Sequence, residues 1–247
     1  MLVGVDGTKE SLAACRQAAQ LAEPDGAVEA AVVSLFPPAA PRAAGVDDVF
    51  ERLERTASSA LSAAAQILGP SAGLRRLHGL TVDALLEEVR RIQATLLAIG
   101  TEDHARLQEI VLGGVAGELL HQAPCAVLIA RPVPDMSTFP REIVVGLDGS
   151  DEAERAFEVA RSLATRRHST LRAVVAHGGK HVDLARVTRR HRHAEGHSAA
   201  PVPALVEAAA CAELLVVGSR GLHGIRALGS VSERVAHQAA CSVLVVR

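Results

Sequence analysis

The stretch Val3-Gly-Val-Asp-Gly-Thr8 returns later in this chain as Val145-Gly-Leu-Asp-Gly-Ser150, an offset of 142 residues. Each copy runs from β-forming residues into an Asp-Gly pair, which favours a turn, and then into a hydroxyl residue suited to cap a helix. Similarity at a fixed distance indicates a repeated structural unit. The 247-residue chain is therefore predicted to contain two copies of one fold.

The later parts of the two copies also match each other. The matching pairs are Leu96–Gly100 with Leu214–Gly218, and His121–Leu128 with His237–Leu244. Between the copies, the stretch Arg131–Pro140 holds three prolines, which neither a helix nor a central strand accommodates. We expect a first domain over residues 1–131, a linker over 132–140 and a shortened second domain over 141–247.

Short β-forming runs alternate with longer helical periods in the first copy. The predicted strands are Leu2–Val5, Val28–Leu35, Leu74–His78, Thr95–Ile99 and Ala126–Ala130. The predicted helices are Thr8–Ala22, Val46–Leu68, Thr81–Arg91 and Gly114–Gln122, with Thr8, Thr81 and Ser150 as caps. This alternation favours parallel strands covered by helices on both faces. The sequence predicts an α/β fold of two tandem open parallel five-stranded sheets, which are Rossmann-like.

The second copy is 24 residues shorter than the first between its second and fourth strands, because the offset between the copies falls from 142 to 118. The long second helix of the first copy, Val46–Gly69, has that same length. We predict that the second half lacks this helix and keeps a third strand near Val187–His193. Part of one sheet face would then need a partner or the other half to bury it.

Composition excludes several classes of function. Hydrophobic residues form 49% of the chain and charged residues 22%, which suits a folded globular protein. Nucleic acid is an unsuitable partner, because 26 basic residues face 28 acidic ones and phenylalanine supplies all four aromatic rings besides histidine. No apolar run reaches the length of a membrane span and the chain opens without a signal-type segment, so a cytoplasmic location is expected. The four cysteines lack metal-binding spacing, and we expect them to be small buried hydrophobes.

A glycine-rich stretch, Gly218–Ser232, follows the fourth predicted strand of the second half and leads into a helical pattern. In open α/β sheets, ligands bind at the carboxyl ends of the strands. Glycines let the backbone approach a phosphate, and the N–H groups at a helix N-terminus favour an anion. The hydroxyls of Ser230 and Ser232 and the charges of Arg220 or Arg226 would add to such a phosphate site.

These features together resemble the tandem universal stress proteins, over both halves and nearly the whole chain. The resemblance implies that an aspartate ending the first strand contacts adenosine, a position held by Asp148 and, in the first half, by Asp6. It implies that a G-x2-G-x9-G-S/T loop holds the phosphates of ATP. It also implies a backbone contact to adenine near the end of the second strand, at Val175 and Val33.

The second half keeps the residue types of this loop, although seven residues instead of nine separate Gly221 from Gly229. Its candidate nucleotide-binding residues are Asp148, Val175, Gly218, Gly221, Gly229, Ser230 and Ser232. In the first half Asp103 replaces a glycine and Gly114 replaces the hydroxyl, and a carboxylate there, with Glu102 beside it, would repel a phosphate. We therefore expect a degenerate first site, which comprises Asp6, Val33, Gly100, Asp103, Gly113 and Gly114.

The resemblance implies a stress-response regulator that binds ATP or AMP, and it leaves open whether Mg²⁺ binds with the nucleotide. It further implies that Ala126–Ala130 and Val243–Val246 pair within one chain as an intramolecular pseudo-dimer, and a homodimer of the whole chain stays open. Two alternatives also stay open, a scaffold that binds no nucleotide and acts through protein contacts, and slow hydrolysis of ATP. Walker A, GxSxG, HExxH and GxGxxG patterns are absent, so no catalytic residue is predicted.

Five histidines and three arginines crowd one segment of the second half. The histidines are His177, His181, His191, His193 and His197. Spacing of this kind could bind a transition metal, but it is also typical of an exposed basic loop that gains charge as the histidines protonate. We favour the basic loop and predict no metal ligands.

Overall fold

The computed structural model describes residues 1–35, 47–101, 114–178, 182–219 and 231–247, and strands alternate with helices throughout them. The elements of the first half are β1 (Leu2–Gly4), α1 (Lys9–Leu21), β2 (Glu29–Ser34), α2 (Asp47–Leu68), β3 (Gly73–His78), α3 (Thr81–Arg91), β4 (Leu96–Gly100), α4 (Gly114–Gln122) and β5 (Ala126–Ala130). Those of the second half are β6 (Glu142–Leu147), α5 (Asp151–Arg167), β7 (Thr170–Ala176), α6 (Leu184–Arg190), β8 (Glu195–His197), α7 (Pro201–Ala208), β9 (Leu214–Gly218), α8 (Val231–Gln238) and β10 (Ser242–Val246).

The described strands form one continuous sheet in the order β3-β2-β1-β4-β5-β10-β9-β6-β7-β8. Strands within each half are parallel, whereas β5 and β10 pair antiparallel, with Leu128 opposite Leu244. The predicted α/β fold is confirmed, and so is the predicted meeting of the two last strands. The two five-stranded units are thus joined edge to edge.

Helices cover both faces of the sheet. Helices α1, α2 and α5 bury one apolar cluster, and α3, α4, α7 and α8 bury the other. Phe139, from the stretch between the halves, is fully buried in the first of these clusters. The residues between β5 and β6 form neither helix nor strand, so this connection contributes a core side chain without adding an element.

Two arginines in equivalent positions of the repeat reach across the junction between the halves. Arg131 follows β5 and donates to the carbonyl oxygens of Ala236 (2.6 Å) and Cys241 (2.9 Å) in the second half. Its counterpart Arg247 follows β10 and donates to the carbonyl oxygen of Leu120 in the first half. Ala236 and Leu120 lie in the last turns of α8 and α4, where carbonyl groups lack helical partners. Each half therefore caps the last helix of the other.

The second half departs from the first where the sequence is shorter. The seven-residue helix α6 stands there in place of the 22-residue α2, so the predicted loss of the long helix is confirmed. The predicted third strand near Val187–His193 is wrong, because Asp183 caps a helix at that point and the strand follows at β8. Val187 is buried against β6 and β7, which explains why an apolar residue there belongs to a helix.

The shorter helix leaves one strand less covered than its counterpart. Ala30 of β2 lies opposite Val3 and is fully buried, whereas Ala173 of β7 lies opposite Val145 and is only half-buried. Two ion pairs hold α6 against α5, one between Arg186 and Asp151 and one from Arg190 to Glu154. The expectation of a partly uncovered face is confirmed at this strand.

Two further details differ from expectation. Thr81 is the first residue of α3, and the cap residue is Leu80, which makes no side-chain capping bond. Cys15, Cys125 and Cys241 are buried as expected, and burial raises the pKa of Cys15 to about 12, but Cys211 is exposed. Among the described helices, none is long and apolar enough to cross a membrane.

The cross-junction caps predict a measurable loss of stability in an Arg131→Met variant. Methionine keeps the apolar stem but leaves the carbonyl groups of Ala236 and Cys241 buried without a donor. We expect the free energy of unfolding, measured by urea denaturation, to fall by about 2 to 3 kcal/mol.

Arg141→Met is the matched control, because the Arg141 side chain is 73% exposed in its ion pair with Glu213. Loss of such a surface pair should change the free energy of unfolding by less than about 1 kcal/mol. Equal losses in the two variants would contradict a special role for the cap.

Candidate functional site

The repeated Asp-Gly-Thr/Ser motif forms the same turn after the first strand of each half. Gly7 and Gly149 have φ angles of 89° and 84°, a left-handed backbone that favours glycine. In the first half Asp6 Oδ1 accepts hydrogen bonds from the amide (2.9 Å) and hydroxyl (2.6 Å) of Thr8. The Thr8 hydroxyl in turn accepts from the amide of Ser11 and so caps α1. The turn thereby fixes one carboxylate oxygen at the end of β1.

The carboxyl group of Asp6 is held in its charged form. Burial alone would raise its pKa, but the hydrogen bonds from Thr8 outweigh burial and leave the pKa below the ordinary value of 3.8. Asp6 is therefore an anion at neutral pH, a hydrogen-bond acceptor at the carboxyl edge of the sheet.

The second-half turn repeats this geometry with one addition. The amide of Ser150 donates to Asp148 Oδ1 (2.9 Å), and the Ser150 hydroxyl caps α5. The amide of Asp183, just before α6, donates to the carbonyl oxygen of Asp148 (2.9 Å). A Cβ atom on Gly149 would lie 2.8 Å from Asp183 Cβ. The shortened connection to α6 therefore packs directly on the second turn.

Glycines at the ends of β4 and β9 have a packing role. A Cβ atom on Gly100 would clash with the backbone of Glu10, and one on Gly218 would lie 2.6 Å from the backbone of Glu152. Both positions allow the first turn of a helix, α1 or α5, to rest on the strand end. Gly218 as a nucleotide contact and Gly100 as part of a degenerate site stay predictions. In the structure both glycines bring a helix N-terminus to the carboxyl ends of the strands.

A cavity of about 400 Å³ opens at the strand ends of the first half. Its walls are the end of β1, the ends of β4 and β2, and the first turns of α1, α3 and α4. The lining residues are Gly4, Val5, Asp6, Thr8, Glu10, Ser11, Ala31, Val33, Thr81, Leu85, Ile99, Gly100, Thr101, Gly114, Val115 and Ala116. Small-molecule pockets commonly span roughly 300 to 1,000 Å³, and the volume of this cavity lies within that range.

The structure places the predicted site residues in two groups. Four candidates from the first half, Asp6, Val33, Gly100 and Gly114, line this one cavity, while Asp103 and Gly113 lie outside the described residues. In the second half the described candidates follow equivalent strands or begin the last helix. They are Asp148, buried Val175, Gly218 and largely buried Ser232, while Gly221, Gly229 and Ser230 lie outside the described residues.

Sequence reasoning missed several lining residues of the cavity. Glu10 and Ser11 are buried in the first turn of α1, and Thr101 is buried just after β4. Their position depends on the approach of α1 to Gly100, a contact between segments about 90 residues apart in the chain. The repeat itself could have indicated Glu10, because the same residue type, Glu152, stands at the equivalent position of the second half, 142 residues later.

The described histidines of the second half do not gather at one point. The His191 ring lies 3.1 Å from the Glu154 carboxylate and 4.2 Å from the Phe157 ring centroid, so it ties α6 to α5. His177 packs against Gly196 at the sheet edge, and His181 lies outside the described residues. Among the residues that the structure describes, no three His, Cys, Asp or Glu side chains are grouped so as to hold a metal ion.

Comparison with known proteins agrees with the fold and the repeat. The sequence model of the family described as "Universal stress protein family" matches residues 1–131 and 179–247. The chain belongs to the universal stress protein family. A universal stress protein of Mycolicibacterium smegmatis is 31% identical over a 294-position alignment that spans all of this chain and 96% of that protein.

One solved structure of a universal stress protein shares the fold over the whole chain. A crystal structure from Archaeoglobus fulgidus is 20% identical, covers 100% of this chain and 97% of its own, and superposes with a TM-score of 0.74. A universal stress protein solved in complex with cAMP is 34% identical, covers 44% of this chain and 97% of its own, and has a TM-score of 0.38. The whole-length similarity to the first of these shows that both halves take the fold of the family.

The capped turn of this universal stress protein predicts the effect of a Thr8→Val substitution. Valine removes the cap of α1 and the hydroxyl donor to Asp6, and loss of such a cap costs about 1 kcal/mol. The pKa of Asp6, measured by NMR titration, should rise toward 3.8.

The stability effect of Thr8→Val should depend on pH in a stated direction. A carboxyl group with a lowered pKa stabilises the folded state above its ordinary pKa, and this contribution is lost as the pH falls through the folded-state value. The difference between wild type and Thr8→Val should therefore be larger at pH 7 than at pH 3. Thr165→Val, on the exposed side of α5, should show no such pH-dependent difference.

Proposed function

We propose that this universal stress protein is a cytoplasmic regulator that binds an adenine nucleotide, ATP or AMP, at the strand ends of its second half. One observation carries the proposal. In the first half, the same turn, strand-end glycine and helix N-terminus enclose a cavity of about 400 Å³. The shared geometry can therefore form a recess of the size of a nucleotide base and sugar.

The described residues of the second half supply contacts for such a ligand. Asp148, held by the amide of Ser150, would accept a hydrogen bond from the sugar, and the backbone at Val175 would contact the base. Gly218 ends β9 beside the first turn of α5, and Ser232 lies in the first turn of α8. A helix N-terminus that carries a hydroxyl residue suits a phosphate, because the N–H groups of the first turn point along the helix axis toward it.

The sequence between β9 and α8 strengthens this assignment by its charge. Residues 219–230 contain Arg220 and Arg226 and no acidic residue, whereas residues 102–113 of the first half contain three acidic residues and one arginine. Gly221, Gly229 and Ser230 belong to this stretch and complete the proposed phosphate contacts. Phosphates favour the half whose sequence supplies the positive charge.

A scaffold that acts through protein contacts is the second candidate, and one observation favours it. Ala173 is half-buried where its counterpart Ala30 is fully buried, because α6 is shorter than α2. Such a face could dock a partner. The two candidates differ in whether an adenine nucleotide binds at all.

A thermal-shift experiment tests the proposal with ATP, with AMP and without ligand, each with and without Mg²⁺. A ligand at 100 times its dissociation constant stabilises the folded state by about 2.7 kcal/mol. We expect this ligand-induced gain for ATP or AMP in the wild type and its loss in Asp148→Ala. The gain is compared within each variant, so a change in the variant's own stability does not confuse the result.

Asp135→Ala is the matched control. Asp135 forms the same kind of turn, in which the amide (2.9 Å) and hydroxyl (2.7 Å) of Ser137 donate to its Oδ1, but it lies between β5 and β6. This variant should keep the full ligand-induced gain. Absence of any gain with either nucleotide in the wild type would reject nucleotide binding and favour the scaffold.

A further inference from the structure

Helix α6 is attached to the second half by little apolar surface. Of its seven residues, all of which the structure describes, Val187 is the one that is buried. The Val187 side chain packs in a small cluster with Leu147, Ala153 and Val175. Helix α2, the counterpart in the first half, has 22 residues and packs several apolar side chains into the large cluster beneath it. A helix as short as α6 is not stable by itself, so its attachment depends on few contacts.

Ionic contacts to α5 add to this attachment. Arg186 pairs with Asp151, and Arg190 Nη1 lies 3.3 Å from Glu154 Oε2. The ring nitrogen Nε2 of His191, the C-cap residue of α6, lies 3.1 Å from the same carboxylate oxygen. The side chains of Asp151 and Arg190 are 73% and 53% exposed. Dissolved ions can therefore screen two of these three contacts.

The N-terminal end of α6 holds the turn that presents Asp148. The amide of Asp183 donates to the carbonyl oxygen of Asp148 (2.9 Å), while Asp183 Oδ1 accepts from the amide of Arg186 (3.0 Å) and so caps α6. One residue thus begins the helix and fixes the turn. In the first half the turn packs on α2 instead, because a Cβ atom on Gly7 would lie 3.5 Å from Ala60 Cβ.

We propose that α6 is a releasable clamp on the turn of Asp148, and that rising ionic strength releases it. With α6 against α5, the amide of Asp183 fixes the backbone of this turn. Release frees the turn and weakens ligand binding in proportion to the fraction of molecules in which the clamp is closed. The identity of the ligand as an adenine nucleotide rests on the proposed function, whereas the release of α6 rests on its packing.

Ionic strength should act on α6 and spare α2. The electrostatic screening length falls from about 30 Å at 0.01 M salt to about 3 Å at 1 M, which weakens exposed ion pairs. Apolar contacts, which hold most of α2, are not weakened by such screening. The first half therefore serves as an internal reference for the second.

Amide hydrogen exchange of the full chain, followed by NMR without nucleotide, tests the release of α6 directly. The reporters are the amides of Asp183 and Val187, which donate to the carbonyl oxygens of Asp148 and Asp183. Raising NaCl from about 0.05 M to about 0.5 M should lower the protection of these amides by at least about threefold. The protection of the α2 amides should stay the same.

The Glu154→Gln variant tests the ionic attachment. Glutamine keeps the size of the side chain but removes the charge that Arg190 and His191 contact, so protection of the α6 amides should fall by about fivefold at low salt. Glu152→Gln is the matched control. Glu152 also lies in the first turn of α5, but it pairs with Arg155 on the same helix, so this change should leave α6 protected.

Titration with ATP at low salt tests the effect of the clamp on the site. Val187→Asp places a carboxylate at the buried position and should release α6, whereas Leu184→Asp adds the same charge at a residue of α6 that is 40% exposed. We expect the ATP affinity to fall at least about tenfold in Val187→Asp and to change less than about twofold in Leu184→Asp. Protected amides in β6 and β9 would show that the second half of each variant is folded.

The outcomes separate the clamp from the proposed function. Salt-dependent protection of α6 in a chain that binds no ATP would support the release of α6 and reject the nucleotide. Protection of α6 that does not respond to salt, or that falls equally in α2, would overturn the clamp even if ATP binds. Equal ATP affinities of folded Val187→Asp and Leu184→Asp would also overturn it.

Discussion

The antiparallel pairing of β5 with β10 is the constraint on which the rest of this molecule depends. All five residues of β10 are buried, and four of the five in β5 are buried. Separated halves would each expose an apolar strand with unpaired backbone groups, an arrangement that invites aggregation. Edge-to-edge pairing satisfies both strands at once and brings the last helix of each half beside the other, where His121 of α4 lies 3.1 Å from Glu233 of α8.

The same pairing decides where the two candidate sites lie. Because β5 and β10 run in opposite directions, the strands of the two halves also run in opposite directions, and their carboxyl ends lie at opposite edges of the sheet. The two candidate sites, one at the carboxyl ends of the strands of each half, are therefore separated by about the length of a strand. The residues around one site can differ in charge from those around the other. The repeat supplies one turn geometry twice, and a difference such as Ala13 at the position of Arg155 changes the charge near that turn.

The sequence predicts the first half well because residues that end helices and strands, such as glycine and proline, lie between its elements. The bounds of α3, α4 and β5 match the structure to the residue, aided by prolines, glycines and strong apolar periods. The short second-half elements are predicted less well. A strand is predicted near Val187–His193, whereas the chain is helical up to Arg190, with Asp183 as the cap and ion pairs to α5. In the site, Asp6, Val33, Gly100 and Gly114 could be predicted from the family resemblance. Burial of Glu10 could not, because it follows from the packing of α1 on Gly100.

The reciprocal arginine caps also bear on the order in which the chain can fold. Leu120 receives its donor from Arg247, 127 residues further along the chain. While the chain is being synthesised, the carbonyl group of Leu120 therefore lacks this donor until residue 247 has been added. Contacts between such distant segments slow folding, because a long loop must close before they form. The first half can assemble early, but its last helix is secured only when the second half is in place.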